Sequence, residues 1–82
     1  MELLSAIRRI IARKIVERRE PHIATVCEIF ELTGKSEAVQ LDEAVPLLKE
    51  GLISIGKTFN GNYYKLKENE RNKIQRKRSA HG

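Results

Sequence analysis

Apolar residues recur at intervals of three and four through Leu3, Leu4, Ile7, Ile10, Ile11 and Ile15. That is the period of one helix face, and it predicts a first helix ended by Pro21. Arg9 and Arg13 lie opposite the stripe and Arg8 and Arg19 flank it. Lys14 and Arg18 fall toward the apolar side, so either their long stems lie along its edge or the helix leaves the core near there. The stretch His22–Thr25 then reads as a short extended segment. Thr25 with Glu28 three residues on is a capping box, so a second helix starts there, with Val26, Ile29, Phe30 and Cys27 expected inward. Gly34 supplies a left-handed stop and Ser36 the next cap. A third helix follows, with apolar positions Val39, Leu41, Ala44, Val45 and Leu48, and Leu52 just beyond. Pro46 sits inside it, so the segment is either one kinked helix, the favoured reading, or a turn over 37–41 followed by a helix from Asp42. Gly51 caps its end.

The last patterned stretch alternates with period two. Asn60-Gly61 is a strong type I′ turn signal, pairing Phe59 with Asn62, Lys57 with Tyr64 and Ile55 with Leu66. One face then carries Ile53, Ile55, Phe59, Tyr64 and Leu66, and the other Ser54, Thr58, Tyr63, Lys65 and Lys67. From Asn69 onward only Ile74 is a sizeable apolar residue, so 1–68 is expected to be the folded domain and 69–82 a disordered basic tail.

Helix, short strand, helix, turn, helix and two-stranded wing is the order of the winged helix-turn-helix superfamily, which the chain resembles over residues 3–67. The residues that carry the resemblance are "TVCEIFELTGKSEAVQL" and "LLKEGLISIGKTFNGNYYKL". It implies an α+β fold: three helices, a C-terminal β-hairpin wing and here a basic C-terminal tail. Members of that superfamily include transcription regulators, replication-initiator modules and domains that bind only proteins; in the DNA-binding members the third helix enters the major groove and the wing touches backbone or minor groove.

Composition changes this picture through charge. With 82 residues and 40% apolar content, the chain makes one small domain with no room for a large enclosed active site. The net charge of +5 is unevenly laid out: residues 1–20 are net +3, 21–51 net −4 and 52–82 net +6. Basic flanks favour a polyanion. The third helix opposes one, since its expected outward residues are Glu37, Gln40, Asp42 or Glu43, and Lys49. DNA contact is therefore assigned to three groups. Lys35, Ser36 and Gln40 stand at the start of the third helix, where free N–H groups face phosphate. Lys57, Asn60, Asn62, Tyr63, Lys65 and Lys67 form the wing set. Arg71, Lys73, Arg76, Lys77 and Arg78 form a tail that can lie along phosphates. Each group has a plainer reading, as turn chemistry or solubilising charge.

The expected protein is a small DNA-binding transcription regulator or replication/chromosome accessory, a homodimer if binding is specific, cytoplasmic, or nuclear in a eukaryote. The alternative is a protein-interaction module docking a basic partner on its acidic helix-turn-helix face, Glu28, Glu31, Glu37, Asp42 and Glu43. RNA binding is weaker, since only Phe59, Tyr63 and Tyr64 could stack on bases and two of the three are expected in the core. No apolar run approaches membrane-spanning length. Cys27 is the single cysteine and is expected to be a buried thiol, with no histidine at metal spacing. No enzyme, cofactor or metal site is expected.

Overall fold

The computed structural model of the protein describes residues 2–68 and 70. Its elements run α1 (Leu3–Val16), β1 (Ala24–Thr25), α2 (Val26–Thr33), α3 (Glu37–Lys49), β2 (Ile53–Thr58) and β3 (Gly61–Leu66). The three strands make one antiparallel sheet in the order β1-β3-β2. The fold is thus α+β, three helices on a small sheet. The core joins Leu3, Ala6, Ile7 and Ile11 of α1 to Ile29, Ala44, Ala24, Ile53, Tyr64 and Leu66.

The stripe of α1 buries as its spacing predicts, but the helix stops at Val16, well before Pro21. Arg18 takes a left-handed conformation (φ 56°). Its N–H donates to the Ile15 carbonyl and the Arg19 N–H to the Lys14 carbonyl, satisfying the helix end without a glycine. The turn brings Ile23 and Glu28 to Lys14, whose Nζ donates to the Ile23 carbonyl at 2.7 Å and to Glu28 Oε1 at 2.8 Å. Lys14 is therefore an anchor between α1 and α2 rather than an edge stem.

The capping box of α2 forms as expected, with Thr25 Oγ1 accepting from the Glu28 N–H and Glu28 Oε1 accepting from the Thr25 N–H, each at 3.1 Å. Gly34 ends the helix at φ 76°. Ile29 is buried and Val26 half-buried, but Phe30 and Cys27 are exposed, against expectation. An eight-residue helix sealed on one side turns only a narrow face inward, and both lie beyond it.

Helix α3 continues through Pro46 as one element. The Leu52 N–H reaches back to the Leu47 carbonyl and the Gly51 N–H to the Leu48 carbonyl, with Gly51 at φ 73°. Its buried face differs from the apolar pattern. Gln40 and Ala44 are buried and Leu47 is partly so, while Val39, Val45 and Leu48 are 43%, 46% and 40% exposed.

In the hairpin, Ile55 pairs with Tyr64, Lys57 with Asn62 and Thr58 with Gly61. The register slips by two residues from the expected one, so Phe59-Asn60 becomes the turn. A type I′ turn needs positive φ at both central residues. Here Gly61 alone takes it (φ 116°), and Phe59 and Asn60 keep ordinary backbone. A two-residue slip preserves the faces: Ile53, Tyr64 and Leu66 stay buried. Phe59, expected in the core, stands at the tip with 109% relative exposure.

Glu70, assigned to the tail from sequence, is 1% exposed and ion-paired with Arg8 of α1, so the packed body reaches at least this far.

Candidate nucleic-acid interface

The hairpin is built from a stretch without acid. From Leu52 to Lys67 there are three lysines and neither Asp nor Glu. Lys57, Lys65 and Lys67 are all exposed, and none has an ion-pair partner among the described residues. Asn60 is exposed in the turn, where its N–H donates to Thr58 Oγ1 at 3.2 Å, and Thr58 Oγ1 donates to the Gly61 carbonyl at 3.2 Å. Tyr63 is half-buried, with its ring laid over Gly56.

Two contacts fix the hairpin against α3. Asn62 Nδ2 donates to Glu37 Oε2 at 3.4 Å near the surface. Deeper, the Tyr64 hydroxyl donates to Gln40 Oε1 at 3.1 Å. Burial, with the Glu37 carboxylate adding to it, pushes the Tyr64 phenol up to about 12. Gln40 Nε2 in turn donates to the Val26 and Lys35 carbonyls at 3.2 and 2.8 Å. One amide thereby joins α2, α3 and β3.

These contacts take Gln40 out of the set expected at the start of α3 and pair Lys35 within the fold. Gln40 is 0% exposed, so its expected outward position is overturned: it is a buried tie. Lys35 Nζ is 2.8 Å from Glu43 Oε1. This hydrogen bond, only partly opposed by burial, holds the Glu43 carboxyl below its ordinary value. Ser36 Oγ accepts from the Val39 N–H at 3.4 Å as the helix cap. The acidic face shrinks as well, since Glu43 pairs with Lys35 and Glu28 with Lys14. Glu31, Glu37 and Asp42 remain exposed, as do Val39, Val45 and Leu48 of α3.

Between α1 and α2 lies a groove of about 250 Å³ where Arg9, Arg13 and Arg19 meet Glu28 and Glu31. Its mixed charge gives it no clear ligand sign. Among the described residues no group of three His, Cys, Asp or Glu is placed to hold a metal ion. Cys27 is exposed, contrary to the buried thiol expected. No described helix is long and apolar enough to cross a membrane. Arg71, Lys73, Arg76, Lys77 and Arg78 lie outside the described residues.

The structure thus brings the wing residues together and removes Gln40 from the surface. Sequence reasoning missed Phe59, whose place depends on the turn register, and the Gln40–Tyr64 tie. A single polar residue four positions before Ala44 was the only signal for the tie.

Compared with known protein families, curated proteins and solved structures, the chain matches none.

Proposed function

We propose that the chain is a winged-helix protein that binds double-stranded DNA through its hairpin, as a transcription regulator or a replication or chromosome accessory. The order α1–β1–α2–α3–β2–β3 is compatible with the winged-helix layout and supports this reading. The observation that carries it is the acid-free wing with three exposed lysines. Each lysine on a phosphate displaces condensed counterions, so log K should fall with log salt by about 0.9 per contact. Contact by α3 is secondary here, because its exposed side chains are apolar or acidic apart from Lys49.

The test is titration of a fluorescent duplex at several salt concentrations. Binding with a steep slope, flattened when Lys57, Lys65 and Lys67 are changed to Ala, is the expected result. No binding near about 50 mM salt, where phosphate attraction is strong, would end the DNA reading.

A second reading is favoured by α3 itself. Val45 and Leu48, three residues apart on α3, leave apolar surface open one turn from Asp42, and exposed apolar patches commonly mark protein contacts. On that reading α3 docks a basic partner or a second copy of the chain. Sedimentation distinguishes the two: a dimer that Val45→Asp with Leu48→Asp converts to monomer assigns the face to a second copy.

A further inference from the structure

Phe59 has no work to do in the fold. It is fully exposed at the hairpin tip, while the apolar residues before it in β2 point into the body or its edge. Yet its position is tightly specified. The turn is pinned by both hydrogen bonds of Thr58 Oγ1 and by the single left-handed residue Gly61. Strand β3 is the central strand of the sheet, and Asn62 and Tyr64 tie it to α3. Presenting an apolar ring on a preorganised support lowers the ordering cost of inserting it elsewhere.

We propose that Phe59 is a wedge that enters the minor groove of duplex DNA and inserts between adjacent base pairs. This rests on the DNA-binding reading above. Charge selects the polyanion: Lys57 precedes the tip on β2, Lys65 follows it on β3, and no acid occurs between Leu52 and Lys67. Dimensions select the groove. Two paired strands about 4.8 Å apart, with their side chains, are too wide for a minor groove about 6 Å across, whereas the tip of a two-residue turn fits. Chemistry agrees with this placement. An aromatic ring can partly unstack a base step, and the Asn60 amide can donate to the acceptors on the groove floor.

The full chain is titrated against duplexes carrying 2-aminopurine at successive positions, whose fluorescence rises on unstacking. Phe59→Ala, Phe59→Leu and Lys65→Ala are compared with the wild type. The expected result is a fluorescence rise with the wild type at a defined step, kept by Phe59→Leu and lost by Phe59→Ala. Phe59→Ala should weaken binding about tenfold, the usual range for a lost stacking contact, without changing the salt slope. Lys65→Ala should do the reverse, flattening the slope while keeping the signal. Because Phe59 makes no core contact, unchanged thermal unfolding of Phe59→Ala guards against a folding artefact. Duplex binding by the wild type with no fluorescence rise, and with equal affinity for Phe59→Ala, overturns the wedge and leaves the DNA reading standing. No duplex binding at low salt overturns both. Phe59-dependent binding to phosphatidylserine vesicles in that case would assign the tip to a lipid surface.

Discussion

Gly56 and Tyr63 stand opposite each other across β2 and β3, and each shapes the other. A Cβ at Gly56 would lie 2.1 Å from Tyr63 Cζ, far inside contact distance. The ring therefore occupies the place of the missing side chain. Gly56→Ala should cost about 1 kcal/mol, the low end for overpacking, because Tyr63 can swing outward. In a Tyr63→Ala background the same change should be neutral or stabilising, since Ala loses less backbone entropy than Gly on ordering. Equal costs in both backgrounds, measured by denaturant unfolding, would show that the ring is not the cause. Tyr64, the next residue, faces inward. Tyr64→Phe strips the donor from buried Gln40 Oε1 and should cost about 1–3 kcal/mol. Unfolded tyrosine ionises near 10.0, whereas folded Tyr64 holds its proton to about 12. Its contribution is therefore complete below pH 10, fades between 10 and 12, and is gone above. The stability gap between wild type and Tyr64→Phe should close across that window.

Elements meet through a few polar ties, and those ties explain which parts of the fold were legible. Caps were read correctly because Thr25, Glu28, Gly34, Ser36 and Gly51 act on their own neighbours. The inward face of α3 was misread because Gln40 counts as polar in any hydrophobic pattern. Its amide is buried only because α2 and β3 supply partners distant in sequence. The end of α1 was misplaced for a similar reason, since Arg18 adopts a conformation usually left to glycine. The hairpin faces were legible and its tip was not: a two-residue slip conserves alternation but moves Phe59 from core to turn. The Lys14–Glu28 tie between α1 and α2 is testable by pH. Burial pushes the Glu28 carboxyl up, but hydrogen bonds from Lys14 and the Thr25 N–H outweigh it and leave it below its ordinary 4.5. A carboxyl depressed by folding stabilises above its unfolded value and loses that effect as pH falls through the folded one. Glu28→Gln keeps a capping-box acceptor but removes the charge facing Lys14, and should thus lower stability at pH 7 by about 1 kcal/mol. The deficit should shrink as pH falls below 4.5. A deficit constant from pH 7 to 2 would rule the ion pair out as its source.

For the molecule as a whole, cations divide into those ion-paired within the fold and those with no ion-pair partner among the described residues. Lys14, Lys35 and Arg8 belong to the first kind, paired with Glu28, Glu43 and Glu70. Lys57, Lys65 and Lys67 belong to the second among the described residues. The division predicts two separable responses. Glu70→Gln removes the charge opposite Arg8 at a buried position and should lower stability by about 1–3 kcal/mol. It should leave the salt slope of duplex binding unchanged, because no phosphate contact is touched. Changing Lys57, Lys65 and Lys67 to Ala should have little effect on unfolding, since exposed charges contribute little, and should flatten the slope by about 0.9 for each lysine on a phosphate. Removing residues 71–82 would take away five further cations, Arg71, Lys73, Arg76, Lys77 and Arg78. If wing and tail both lie on DNA, each change should flatten the slope and the two effects should add. If the truncated chain loses all binding while the wing variant keeps the full slope, the tail alone carries the contact and the hairpin must serve another partner.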